Sequence, residues 1–127
     1  MARILLIEDS EEVRRLLARA LRHAGHEVAV ASGGVEGLRL FRVAPADIVI
    51  TDIFMPEQDG LETIRDLRRE GRPFRMIAMS GGGTAGQMEV LKTARHMGAD
   101  RVLAKPFRIA ELTALIEELM ENSSSPN

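Results

Sequence analysis

Short apolar segments that alternate with longer stretches of helical periodicity limit what this chain can fold into. Such alternation is typical of βα repeats, which build a parallel sheet. The third apolar segment suits a strand buried on both faces, whereas the second has less apolar bulk and is predicted to be an edge strand. We predict five strands, at Arg3–Ile7, Glu27–Ala31, Ile48–Thr51, Arg75–Met79 and Arg101–Ala104.

Between the strands, apolar residues recur with the spacing of a helix face. In the first of these stretches, Val13, Leu16, Leu17 and Leu21 form the stripe, and Gly25 follows as a stop signal. Four more helices are predicted around Val35–Phe41, Leu61–Leu67, Met88–Met97 and Ile109–Leu119. Right-handed crossovers would place these helices on both faces of the sheet. The apolar pattern leaves the order of the strands open.

The length of 127 residues suits one domain, which we place at residues 1–121, followed by a polar tail at 122–127 that is predicted to be disordered. The chain contains no cysteine, which excludes disulfides, thiolate catalysis and zinc–thiolate sites. The first apolar run has only four residues, too few for a signal peptide or a membrane span. We therefore expect a cytoplasmic protein that does not contact the membrane.

The charge and the aromatic content argue against direct binding of nucleic acid. The formal net charge is −2, so no bulk attraction to phosphates is expected. The only aromatic residues are four phenylalanines, which makes a base-stacking surface improbable on composition. We expect the partners of this chain to be proteins.

Polar side chains follow four of the predicted strands at the point where each strand ends. Glu8 and Asp9 follow the first strand, Asp52 the third, Ser80 the fourth and Lys105 the fifth. Open α/β sheets bind ligands at the carboxyl ends of their strands, so these side chains are expected to meet at one edge of the sheet. The sequence thus predicts one site with three carboxylates, a hydroxyl and an ammonium group.

Those residue types suit magnesium-assisted phosphorylation of an aspartate. Asp9 and Asp52 could bind Mg²⁺ directly, with Glu8 acting through water and the carbonyl of Phe54 as a further oxygen ligand. Asp52 lies centrally, so it is the better nucleophile toward phosphorus. Phosphoryl transfer requires compensation of charge on the equatorial oxygens, which Lys105 and the hydroxyl of Ser80 could supply.

An ordered set of motifs runs along the chain: Glu8-Asp9, Asp52 with Met55-Pro56 and Asp59-Gly60, Ser80, and Lys105-Pro106-Phe107. This set strongly resembles the receiver domain of bacterial two-component response regulators, in its stand-alone, chemotaxis-type form. The resemblance covers about Arg3 to Met120. It implies a flavodoxin-like α/β fold, a doubly wound five-stranded parallel sheet of order 2-1-3-4-5 with five helices.

The resemblance implies a phosphorylation-dependent signalling switch and not a metabolic enzyme. Asp52 would take a phosphoryl group from a sensor histidine kinase or a histidine phosphotransfer protein, with Mg²⁺, and the site would catalyse only its own phosphorylation and dephosphorylation. The output would pass through an unknown protein partner.

The family usually has an aromatic residue three positions before the lysine, where this chain has Val102. The surface that docks the kinase would comprise Glu12, Val13, Leu16, Pro106 and Phe107.

Three other readings stay open. A magnesium-dependent phosphohydrolase that works through an aspartyl phosphate would typically have a second Asp two residues after the nucleophile, where this chain has Phe54. A flavin-binding electron carrier would need aromatic residues beside the ring, and the chain has no Tyr or Trp. A degenerate receiver would signal by binding proteins without phosphate, although every expected site residue is present.

Overall fold

The computed structural model describes residues 1–53, 60–80, 92, 94–96 and 98–124. Five parallel strands form one sheet in the order β2-β1-β3-β4-β5, as the resemblance implied. The pairing of Leu5 with Ala29 on one side and Val49 on the other shows that β1 is an interior strand, next to the central strand β3. The strands are β1 (Arg3–Ile7), β2 (Glu27–Ala31), β3 (Ile48–Asp52), β4 (Arg75–Ser80) and β5 (Arg101–Ala104).

Four helices have defined bounds: α1 (Glu11–His23), α2 (Gly34–Val43), α3 (Gly60–Arg69) and a C-terminal helix (Ile109–Ser124). Residues 92 and 94–96 are also helical and lie in the segment predicted for the fourth helix, most of which is outside the described residues. The C-terminal helix includes residues 122–124, which were predicted to belong to a disordered tail. Residues 125–127 lie outside the described part of the chain.

The sheet separates two apolar cores because side chains of each strand alternate between its faces. On one face, Leu5, Ile7 and Val49 pack with Phe41 of α2 and with Ile64 and Leu67 of α3. The other core contains residues of β1, β3 and β4 together with α1 and the C-terminal helix: Ile4, Leu6, Leu17, Leu21, Ile48, Ile50, Ile77, Met79, Leu112, Ile116 and Leu119. Both faces of β1 and β3 are therefore buried, as the apolar run of β3 predicted.

The predicted stripes are correct for most helices but not for every residue. Val35 of α2 is 60% exposed and Leu16 of α1 is 61% exposed, although both were assigned to apolar stripes. In α2, Gly34 and Gly37 are buried instead of Val35. The reason is that α2 lies close to the sheet at Gly37, where its inner face has no room for a side chain.

The close approach is sharpest at Gly37. A Cβ atom added there would lie 2.5 Å from Cδ1 of Ile7 and 2.9 Å from Cγ1 of the same side chain. Ile7 is fully buried, so its side chain has little space into which to move. Gly37 thus sets the distance between α2 and β1, the strand that leads into Glu8.

We expect Gly37→Ala to lower the free energy of unfolding by about 1–3 kcal/mol, because overpacking against Ile7 outweighs the better helix propensity of alanine. Urea denaturation measures the difference. Gly33→Ala is the matched control, since a Cβ at Gly33 meets no atom within 4 Å. Equal stability of the two variants would contradict the packing argument.

His26 connects the start of β1 to the turn that precedes β2. Its Nδ1 atom accepts a hydrogen bond from the backbone N–H of Ala2 at 3.0 Å, so the ring is neutral in this contact. Burial and the positive α-amino group of Met1 lower the pKa of His26 from its ordinary 6.5, against an opposing contribution from Glu117. Protonation of His26 therefore favours the unfolded chain.

Because the folded pKa of His26 is lowered, its contribution to stability is present above about pH 6.5 and is lost as the pH falls below that value. We expect His26→Gln to flatten this part of the plot of unfolding free energy against pH. His23→Gln is the control, since His23 is exposed at the end of α1. An unchanged slope in His26→Gln would show that His26 does not carry the effect.

The outer strand β2 is only partly covered, as its composition predicted. Val28 and Val30 are half-buried, whereas Glu27 and Ala29 are exposed. The Nη2 atom of Arg22, from α1, donates to the carbonyl oxygen of Val28 at 2.9 Å.

Among the described residues, no helix has the length and apolar character of a membrane span.

Candidate functional site

The site lies where β1, β3 and β5 end at the carboxyl edge of the sheet. Glu8 directly follows β1, Asp52 is the last residue of β3, and Lys105 directly follows β5. Since β1 and β3 are neighbours in a parallel register, the two carboxylates come together without any special loop. Glu8 is 1% exposed and Asp52 is 6% exposed, so both carboxylates are nearly removed from solvent.

Lys105 connects the two buried carboxylates. Its Nζ atom lies 2.8 Å from Oε1 of Glu8 and 2.8 Å from Oδ2 of Asp52. The lysine side chain is 22% exposed, so these ion pairs are largely removed from solvent. The Lys105–Pro106 peptide bond is cis. The structure thus brings Glu8, Asp52 and Lys105 together at one edge of the sheet.

Burial and ion pairing shift the pKa values of two of these groups. Burial raises the pKa of Glu8, and this effect outweighs the hydrogen bonds from Lys105 and the Ser10 amide, which lower it. Burial alone would lower the pKa of Lys105, but hydrogen bonds to Asp52 and Glu8 reverse this, so the pKa is raised. The lysine therefore stays charged at neutral pH and supplies the positive charge that the carboxylates need.

Asp9 completes the acidic cluster from the solvent side. One carboxylate oxygen each from Glu8, Asp9 and Asp52 lies within 4.8 Å of the other two. Asp9 is exposed, whereas the other two side chains are buried. A hard divalent cation such as Mg²⁺ prefers oxygen ligands of this kind and keeps several waters, for which the exposed side leaves room. The donor set therefore fits magnesium.

Two of the predicted site residues are described only in part or not at all. The backbone of Ser80 ends β4 and pairs with Ala104, which places it at the same edge as Asp52 and Lys105. Its side chain lies outside what the structure describes, and so do Phe54 and the Met55-Pro56 and Asp59 motif positions. Their predicted roles remain predictions.

The predicted docking surface is formed by the start of α1 and the segment after Lys105. Glu12, Leu16 and Pro106 are exposed. Val13 and Phe107 are half-buried and pack against the same core cluster, which links the two segments. The five residues thus combine an exposed rim with two half-buried apolar side chains that pack against the core.

Arg14, one of the four arginines of α1, was not predicted to contact the site. Its Nη1 atom donates to the carbonyl oxygen of Glu8 at 2.9 Å, and its side chain is half-buried. Arg15, in contrast, is 79% exposed and pairs with Glu11 on the same helix. The sequence does contain one indication of this contact. Arg14 lies within the first turn and a half of α1, close in the chain to Glu8 and Asp9.

Comparison with known proteins shows similarity to response regulators. The family model for the response regulator receiver domain matches residues 4–117. The response regulator MprA of Mycobacterium sp. (strain KMS) is 35% identical over 122 residues, which are 96% of this chain and 52% of MprA. The probable transcriptional regulator ycf27 of Cyanophora paradoxa is 32% identical over 98% of this chain and 50% of its own length. The chain thus spans about half the length of these curated relatives.

Solved structures show the same architecture. A response regulator receiver domain protein from Clostridium thermocellum superposes with a TM-score of 0.88 at 28% identity, over 98% of both chains. The chemotaxis protein CheY4 of Vibrio cholerae superposes with a TM-score of 0.83 at 26% identity, over 94% of this chain and 98% of its own. Both likenesses extend over nearly the whole sheet and its helices.

The fold and the site define a doubly wound α/β protein with an acidic cluster and a bridging lysine at the switch point between β1 and β3. The chain belongs to the response regulator receiver domain family, since the family model covers most of its length. It is accordingly a phosphorylation-dependent switch of two-component signalling.

Lys105→Met should lower the free energy of unfolding of the metal-free protein at neutral pH by about 1–3 kcal/mol, because it leaves the buried Glu8 and Asp52 charges without their partner. Denaturant titration in the presence of a chelator measures the loss. Lys92, the only other lysine of the chain, is exposed, so Lys92→Met is the control. If both variants lost the same stability, the bridge would not stabilise the site.

Proposed function

We propose that Asp52 is the phosphoacceptor of this receiver domain and that it takes its phosphoryl group from a sensor histidine kinase or a histidine phosphotransfer protein. The observation that carries the proposal is the contact between Asp52 and the Lys105 ammonium inside an acidic cluster. Of the three clustered acids, Asp52 alone ends the central strand β3, directly beside the end of β1. An incoming phosphoryl group would therefore approach it from the carboxyl edge of the sheet.

The charge of the cluster supports a magnesium requirement. Three carboxylates and one ammonium leave a formal charge of −2, which repels a phosphoryl donor. We propose that Asp9 and Asp52 bind Mg²⁺ directly, with Glu8 acting through water and the Phe54 carbonyl as a further ligand. Bound Mg²⁺ would neutralise the cluster and stabilise the negative charge on the transferring group.

The transfer itself requires little from the protein beyond alignment. A carboxylate oxygen of Asp52 forms the new bond to phosphorus as the bond from phosphorus to the donor's imidazole nitrogen breaks, and the electron pair stays on that nitrogen. Lys105 lies 2.8 Å from Oδ2 of Asp52, so its ammonium is placed to donate to an oxygen of the attached phosphoryl group. The hydroxyl of Ser80 is proposed as a second donor. In the later hydrolysis, a water oxygen would form the new bond to phosphorus as the bond from phosphorus to the Asp52 oxygen breaks, which frees the carboxylate and uses the same groups.

The donor protein is proposed to dock on the surface formed by Glu12, Val13, Leu16, Pro106 and Phe107. The exposure of Leu16 supports this, because an apolar side chain on that rim gains from being covered by a partner.

The relative NtrC of Azospirillum brasilense is described as a DNA-binding transcriptional regulator, and this chain covers 25% of its length. For the receiver domain itself, we propose that output passes through a protein contact.

Incubation with acetyl phosphate or phosphoramidate and Mg²⁺ should add the mass of one phosphoryl group to the intact protein. We expect Asp52→Asn to abolish the adduct, because an amide oxygen is a poor nucleophile and leaves no acyl phosphate. Intact-protein mass spectrometry at neutral pH measures it, and the adduct should be lost at alkaline pH as an acyl phosphate is.

Asp47→Asn is the matched control, since Asp47 precedes the same strand at its opposite end. Its carboxylate accepts a hydrogen bond from the backbone N–H of Arg3 at 2.8 Å, a contact that asparagine can keep. A stable adduct in Asp52→Asn, or no adduct in the natural chain at saturating Mg²⁺, would count against the proposal. Release of phosphate from small phosphomonoesters would instead favour the phosphohydrolase reading.

A further inference from the structure

Among the arginines of α1, Arg14 has a distinct environment. Its Nη1 atom binds the carbonyl oxygen of Glu8, a residue of the acidic cluster, whereas Arg22 binds the carbonyl of Val28 at the sheet edge. Arg15 pairs with Glu11 near the helix surface. Of these three side chains, only that of Arg14 is half-buried, and the others are exposed. Arg14 is thus the arginine that contacts the site.

The turn from Glu8 to Ser10 is held by several hydrogen bonds that converge on Glu8. The backbone N–H of Glu8 donates to the carbonyl of Ala31 at 3.0 Å, and the Ser10 amide donates to Oε2 of the Glu8 carboxylate at 3.1 Å. The backbone N–H of Arg14 donates to the Ser10 carbonyl at 2.8 Å, while its guanidinium reaches back to Glu8. The backbone bond to Ser10 is the ordinary first bond of the helix, so the specific contribution of Arg14 is its guanidinium, which joins α1 to the Glu8 end of the turn.

We propose that Arg14 is a positioning residue for the cation site: it holds the Glu8–Ser10 turn so that the carboxylates of Glu8 and Asp9 face Asp52. This inference rests on the magnesium site of the proposed function. Groups that orient metal ligands typically change metal affinity by 10–100-fold when they are lost. Arg14 acts through the backbone of Glu8 and does not itself touch the cation.

The sign of the effect separates positioning from charge. Arg14 carries a positive charge close to the acidic cluster, so a purely electrostatic role would weaken Mg²⁺ binding in the natural chain. Removal of that charge would then tighten the binding of Mg²⁺. Removal of a positioning contact has the opposite result, because the ligands are no longer held in place before the cation arrives.

The experiment compares Mg²⁺ binding to the natural chain, Arg14→Met and Arg15→Met by isothermal titration calorimetry. We expect the Kd of Arg14→Met to rise by roughly tenfold, whereas the exposed Arg15→Met should stay within about twofold of the natural chain. Arg14→Lys, which keeps the charge and one donor, should lie between them. If Arg14→Met does not fold, Arg14→Gln serves for the same comparison, with the same expected direction.

Hydrogen exchange in the absence of Mg²⁺ supplies a second readout, independent of activity. The Ser10 amide should exchange faster in Arg14→Met than in the natural chain, because its hydrogen bond to the Glu8 carboxylate depends on the geometry of the turn. Its exchange rate should be unchanged in Arg15→Met. Equal or tighter Mg²⁺ binding in Arg14→Met would overturn the inference and leave the proposed function intact. Absence of Mg²⁺ binding to the natural chain would instead overturn the magnesium site and, with it, the role of Arg14.

Discussion

The bridge from Lys105 to Glu8 and Asp52 is the interaction on which the site depends. Two nearly buried carboxylates at the ends of adjacent strands would repel each other strongly in a medium of low dielectric constant. Lys105 is 97 residues from Glu8 and 53 from Asp52 in the chain, yet its ammonium lies 2.8 Å from an oxygen of each. It reaches across β4, which separates β5 from β3. The charge balance of the site thus depends on the assembled sheet and on no local segment.

The strands could be predicted from the sequence because each is a short apolar run bounded by charged or polar residues. Even the weaker covering of β2 was visible in its composition. The bounds of β3 and β4 each differ from the prediction by one residue. The helix faces were harder, since α2 turns Gly37 toward the sheet and leaves Val35 in solvent. Apolar periodicity cannot show where a missing side chain allows close packing.

The candidate site could be predicted as a set of residues at strand ends but not as a network. The parallel sheet alone brings Glu8, Asp9, Asp52 and Lys105 to one edge. The double contact of Lys105 depends on the path of the chain after β5, which no spacing in the sequence specifies. The contact of Arg14 could not be predicted for a related reason, since α1 contains several arginines with similar sequence surroundings. Only the packing of α1 distinguishes them, because it leaves Arg14 half-buried and in contact with Glu8 while the other arginines are exposed.

The contact between Arg22 and β2 has a consequence for self-association. An outer strand with free carbonyls is a template on which another chain can add a strand and begin to aggregate. Arg22 occupies the carbonyl of Val28 in the middle of this edge, and the charged pair of Arg3 and Glu27 lies at its beginning. A second copy would have to displace an arginine and approach charged side chains before it could pair. The first helix thereby also protects the sheet from growing by intermolecular strand addition.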